Sequence, residues 1–247
     1  MNSSFLSRYE VDQTAPTRRE ALRDAAARVL APAAVLWALI VGIGYLIVNV
    51  FNEIPVEDTW SKAVQEGRTP TWDTVTMIWS RIGNTEIIIG TCVVVCLVLL
   101  WRTRQWWYAV IPAIAIAMQA TVFVLATVVI GRPRPEAEHL DPAPPTSSYP
   151  SGHVGASTAL YLTFAFMAQG IERAWLRRLL TAIFLAVPLL VSYARFYRGM
   201  HHVTDIVIGL LNGVVCALLA WHWVRRRSEG RADGTRADDA DEARAGR

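Results

Sequence analysis

Three stretches in the second half of this 247-residue chain carry residue types suited to holding and cleaving a tetrahedral anion. They are Gly131-Arg132-Pro133-Arg134-Pro135, Pro150-Ser151-Gly152-His153, and the segment from Arg195 to Asp205. Arg134 and Arg195 are bidentate donors able to neutralise the equatorial oxygens of a transferring phosphoryl group. Arg132 and Arg198 are near enough in sequence to share that work, although a solvated or headgroup-anchoring arginine is the commoner role. Ser151 reads as a helix N-cap and Gly152 as a position where a ligand approaches the backbone, so the helix they open presents free N–H groups to an anion. His153 then stands where it could protonate a leaving alkoxide.

His201 and Asp205 have the i, i+4 spacing that places two side chains one turn apart on a helix. A carboxylate accepting from one imidazole nitrogen would fix the tautomer and leave the other nitrogen free to attack phosphorus. The plainer reading is an ion pair at a helix start. His202 would project elsewhere on the same helix and reads as structural. His139 with Glu136, Glu138 and Asp141 could be taken for metal ligands, but the proline-rich flanks and irregular spacing favour a solvated loop. No metal or other cofactor is expected.

These residues need elements to position them, and composition says which. The chain is 53% hydrophobic with only 18% charged residues, which excludes a disordered chain, and a net charge of +3 with mixed-sign tails excludes a basic nucleic-acid reader. Residues 1–32 and 225–247 hold 12 of the 24 basic and 10 of the 21 acidic groups. What lies between is a membrane body. Apolar runs at 33–51, 87–101, 105–130, 153–170, 179–194 and 206–224 predict six spans, the second extending back through Asn84 toward Trp79 and the fifth running from Trp175 past Arg195. The ten tryptophans mostly fall near the ends of these runs, as interfacial aromatics do. Cys92, Cys96 and Cys216 lie inside apolar runs and read as small hydrophobes.

The expected fold is therefore all-α, a six-span transmembrane bundle with both termini cytoplasmic. Residues 1–32 form a cytoplasmic segment with a short juxtamembrane helix begun by Thr17 to Glu20, residues 33–224 the membrane domain, and residues 225–247 a disordered charged tail. Arginine and lysine counts in alternate connections support that orientation, with 13 inside and seven outside. Four of the seven outer residues are Arg132, Arg134, Arg195 and Arg198, and basic groups placed against the trend call for a function.

The order Arg134-Pro135, then Pro150-Ser151-Gly152-His153, then Arg195 followed by His201 and Asp205 resembles the three-part motif of the type 2 phosphatidic acid phosphatase superfamily. The resemblance implies a metal-independent lipid phosphatase in which His201 becomes a phosphohistidine, Asp205 orients it and His153 is the general acid. It implies that Arg134, Arg195, Ser151 and the Gly152 amide hold the phosphate. Two positions depart from the pattern: Thr127 stands where the family has a lysine, and Ala194 where serine is usual. Arg198 is the favoured replacement for that lysine, with Arg132 the second choice. Soluble vanadium haloperoxidases resemble the same constellation, but six apolar spans argue against that branch.

The expected activity is hydrolysis of a phosphate or diphosphate monoester of a lipid, prenyl diphosphates among them, at the extracytoplasmic face of the cell membrane. The expected partners are the substrate lipid and the bilayer. Two rivals are a phosphotransferase using a lipid phosphate donor and a non-catalytic membrane protein that only binds lipid headgroups.

Overall fold

The computed structural model describes residues 26–143 and 146–222, with Arg19, Leu22 and Arg23 besides. The tail from 225 and most of the juxtamembrane segment lie outside the described residues. Among the described residues the regular elements are helical: α1 (Ala26–Asn49), α2 (Val56–Glu66), α3 (Pro70–Ile82), α4 (Thr85–Thr103), α5 (Trp106–Val129), α6 (Gly152–Ala168), α7 (Ala174–Tyr197) and α8 (Val203–His222). The expectation of an all-helical chain holds for these residues.

Five of them, α1, α4, α5, α7 and α8, are long and apolar enough to cross a membrane. The fourth expected span is α6, which is shorter at 17 residues, and ten of those are buried. It packs chiefly between α7 and α5. Gly209 and Gly213 on α8 face its other side at a separation where a Cβ would collide with α6 backbone or Ser151.

The expected extension of the second span toward Trp79 is corrected. Trp79 belongs to α3, which ends at Gly83, and α4 starts afresh after Asn84, whose backbone is extended at φ −64°, ψ 144°. Asn before an apolar run is a helix-start signal, and here it wins over hydrophobic continuity. The break lets α3 fold back along α7, where Trp72, Trp79 and Tyr193 meet edge to face. Tyr197 joins the cluster through Tyr193 and donates to Asp73 Oδ1 at 3.1 Å.

Local signals start and stop the other elements. Thr69 caps α3 by accepting the Trp72 N–H, with Pro70 at the first helical position. Glu57 and Asp58 stand in the first turn of α2. Arg104, in the left-handed region at φ 57°, turns the chain from α4 into α5. Pro112 sits just after a break at Val110, where no helical hydrogen bond is lost to it.

The connections at one end of the bundle are the short ones, 104–105 and 169–173. At the other end, α2, α3 and the 130–151 loop cover the C-termini of α1, α5 and α7 and the N-termini of α4, α6 and α8. That loop is folded on itself: Ser148 donates its N–H to Arg132 O at 2.9 Å and its hydroxyl to Pro133 O at 2.7 Å. Tyr149 pins it to α1 by donating to Ile40 O at 2.8 Å.

Candidate active site

The covered end holds a cavity of about 420 Å³. Its polar wall is made by Arg134, Ser147, Gly152, His153, Arg195 and His201, and its apolar wall by residues of α4 and α5 such as Ile88, Ile116 and Phe123. Three separate stretches of sequence thus reach one wall because α6 starts, α7 ends and the 130–151 loop returns at the same level. Ser151 and Asp205 stand behind that wall rather than in it.

His201 is not on a helix, since α8 begins two residues later, and this corrects the expected i, i+4 arrangement. Its Nδ1 lies 2.7 Å from Ser148 O and 4.0 Å from Asp205 Oδ2. A carbonyl only accepts, so Nδ1 carries the proton and Nε2 keeps its lone pair. Burial pushes the imidazole pKa well below its ordinary value, with Arg195 acting in the same direction and Asp205 against it. His201 is therefore a neutral base at pH 7.

Asp205 serves other partners. Its Oδ2 accepts the His202 N–H at 2.9 Å and faces His202 Nδ1 at 3.2 Å, while Oδ1 accepts from Arg132. His202 is held between Asp205 and Asp58, the structural role expected for it.

Arg132 was a second-choice phosphate ligand, and the structure gives it a different role. Its side chain is fully buried, with NH1 on Asp205 and Thr204 and NH2 2.8 Å from Glu57 and 2.9 Å from Glu53 O. Burial would lower its pKa, but Asp205 and Glu57 more than offset that and raise it. With two carboxylates on it, the guanidinium has little attraction left for a phosphate. Glu57 also accepts the Thr204 N–H at 2.8 Å and the Thr204 hydroxyl at 2.9 Å, so it caps the start of α8.

Arg198, the favoured stand-in for the lysine, is likewise occupied. It donates to Asp141 Oδ1, Asp73 O, Thr76 Oγ1 and Leu140 O, and it is not part of the cavity wall. The Thr127 hydroxyl is buried with no partner, so no cation in this structure replaces the lysine there.

Two arginines remain for an anion. Arg134 donates to Met200 O at 2.7 Å and leaves Nε without a partner; burial lowers its pKa, but the group stays charged. Arg195 donates through NH1 to Ser80 Oγ at 3.0 Å and to Asp141 Oδ2 at 2.9 Å, again with Nε unpartnered. Asp141 thus bridges Arg195 and Arg198. Burial would raise its carboxyl pKa, but the Arg198 hydrogen bond and both arginine charges hold it below the ordinary value. The acidic cluster suspected around His139 is dispersed: Asp141 turns inward, Glu136 pairs with Lys62, and His139 faces Pro135 O.

His153, in the first turn of α6, places Nε2 3.2 Å from Asn84 Oδ1, so the proton sits on Nε2. Gly152 has no room for a side chain, because a Cβ would lie 2.8 Å from the Phe123 ring. The Ser151 hydroxyl is buried without a partner, and no side chain caps α6. The first turn of α6 therefore opens on the cavity with its N–H groups free of side-chain caps.

The PAP2 superfamily model matches residues 105–229, half of the chain. This chain belongs to the PAP2 superfamily. The match spans α5 to α8 and all three stretches that meet at the cavity. Among solved structures, the transmembrane PAP2 type phosphatidylglycerolphosphate phosphatase from Bacillus subtilis is similar with a TM-score of 0.69 and 19% identity, over 78% of this chain and 96% of that one. LpxE from Aquifex aeolicus is similar with a TM-score of 0.52 and 20% identity, over 66% of this chain and 92% of that one. At these identities the likeness is one of fold. No curated protein matches. The PAP2 fold and five membrane-length apolar helices make this an integral membrane protein.

Sequence reasoning missed Glu57, Asn84 and the Ser148 carbonyl. Only Asn84 carried a signal, as a capping residue before an apolar run.

Proposed function

We propose that this PAP2 protein is a lipid phosphatase that cleaves a phosphate or diphosphate monoester through a phosphohistidine. The observation that carries this is the cavity itself, which puts a neutral His201 between two arginines with unused Nε donors at one end and aliphatic and aromatic side chains at the other. Such a cavity suits a molecule whose phosphate enters a polar end while its chain stays in hydrocarbon.

The chemistry is a double displacement. His201 Nε2 attacks phosphorus, the bond to the lipid oxygen breaks, and that oxygen takes the proton from His153 Nε2 in place of Asn84. Water then attacks the phosphohistidine, releasing inorganic phosphate and restoring His201. Arg134, Arg195 and the α6 N–H groups hold the charge that develops on the equatorial oxygens. Ser151 and Asp205 act from behind, Ser151 at the start of α6 and Asp205 by fixing the 201–202 turn through His202 and Arg132.

In this reading α6 is the sixth span. Its 17 residues cover about 26 Å, near the hydrocarbon thickness, and neighbouring helices shield its ends. Both termini then lie in the cytoplasm and the site outside, consistent with Arg102, Arg104, Arg173, Arg177 and Arg178 at the opposite end.

The test is phosphate release from lipid phosphates by the purified protein in detergent. Wild type should release phosphate and be inhibited by vanadate, and His201→Ala should abolish both turnover and labelling by substrate phosphorus. Substantial turnover in His201→Ala would remove the nucleophile assignment. Appearance of a new phosphorylated alcohol in place of free phosphate would make the protein a transferase.

A further inference from the structure

Gln119 sits in the middle of α5, 2% exposed, on the wall of the same cavity. Its side-chain Nε2 has no hydrogen-bond partner, and the contact that reaches this residue from α8 goes to its backbone, where Asn212 Nδ2 donates to Gln119 O at 3.3 Å. The amide lies against Gly155 so closely that a Cβ there would overlap Nε2. An unpartnered amide at this depth in a membrane protein is costly, and every neighbour that could have satisfied it is aliphatic, aromatic or glycine: Ile88, Ile116, Ala120, Phe123 and Gly155.

Depth says what the missing partner is. Phe123 touches Gly152 at the mouth of α6, and Gln119, one turn deeper on α5, touches Gly155. A turn of helix places the amide about 5 Å below the phosphate end. We propose that Gln119 is a specificity-determining residue whose Nε2 donates to an oxygen in the linkage region of the lipid, selecting acylglycerol phosphates over lipids whose phosphate joins hydrocarbon directly. In a diacylglycerol phosphate the first ester oxygen is four bonds from phosphorus, at about that depth. A prenyl phosphate offers only carbon there and leaves the amide unsatisfied.

The inference rests on the lipid phosphatase reading, so turnover and binding are measured separately. The experiment compares kcat/KM for a diacylglycerol phosphate and a prenyl monophosphate, equal in charge, in wild type, Gln119→Met and Gln119→Leu. Wild type should prefer the ester lipid by about tenfold, the worth of one buried neutral hydrogen bond. Both variants should lose that preference by slowing on the ester lipid alone, and their unchanged turnover of the prenyl phosphate reports an intact fold. Equal losses on both lipids, or no loss on either, would overturn the assignment to Gln119 while leaving the phosphatase reading in place. Thermal stabilisation by non-hydrolysable phosphonates of the two lipids gives the second readout. If wild type hydrolyses neither lipid yet is stabilised selectively by the ester phosphonate, and Gln119→Met is not, the phosphatase reading falls and Gln119 keeps its role. Equal stabilisation by the two phosphonates would overturn that role as well.

Discussion

Replacing Glu57 by alanine tests whether a buried ion network, rather than the bilayer alone, holds the site together. The carboxylate is 2% exposed and accepts from Arg132 NH2, the Thr204 N–H and the Thr204 hydroxyl, all within 2.9 Å. Truncation leaves Arg132 with Asp205 as its remaining carboxylate, while NH2 keeps Glu53 O at 2.9 Å. Breaking a buried pair costs about 3–5 kcal/mol, and the retained carbonyl puts this case near 3. The two orphaned Thr204 donors add about 1 kcal/mol each if water does not reach them. For a domain of this size, about 2–4 °C of Tm per kcal/mol predicts a fall of roughly 6–15 °C. Thermal unfolding in detergent measures it, with Glu57→Gln as the matched control, since the amide oxygen keeps one acceptor and should recover at least half the loss. A shift under about 3 °C in Glu57→Ala would mean that the network contributes nothing to the stability of the α8 start.

Other outcomes follow from the same geometry. Arg198→Ala should lower Tm but weaken vanadate inhibition by less than about threefold, whereas Arg195→Ala should weaken it by roughly tenfold or more, the worth of a charged hydrogen bond; equal effects would return Arg198 to the phosphate site. His201 stays neutral when folded but takes a proton near pH 6.5 when unfolded, so its contribution to stability is complete above that pH and declines as pH falls below it. Replacing His201 by glutamine should flatten that decline between about pH 6.5 and 5 in unfolding measurements; an unchanged slope would place the titration elsewhere. Asn84→Ala should slow alkyl phosphates by about tenfold while sparing an aryl phosphate with a good leaving group, because the proton on His153 is no longer held for transfer; equal slowing would separate Asn84 from the acid step. In a cysteine-free background, Ala143→Cys should react with an impermeant thiol reagent in intact cells and Glu172→Cys, at the other end of the bundle, should not; the reverse pattern would put the site in the cytoplasm.

What could be read without coordinates was whatever depends on near neighbours in the chain. Apolar runs of membrane length, the proline-rich return before Gly152, and arginines and histidines at helix ends are local patterns, and a hydrophobic run of 20 residues has few other uses. Arg134, Gly152, His153, Arg195 and His201 reach one cavity wall because the ends of consecutive membrane helices meet at one surface. The tertiary structure alone decided which cations are free to meet an anion. Arg132 and Arg198 look no different in sequence from Arg134 and Arg195, but Glu57, 75 residues before Arg132, and Asp141, 57 before Arg198, fold against them. The same holds for His201, whose proton is set by a backbone carbonyl 53 residues away instead of the carboxylate four residues on. A guanidinium or an imidazole has no fixed role in this desolvated end of the bundle. Its charge and its free lone pair depend on the one group placed within 3 Å of it, and that placement is a property of the packed helices.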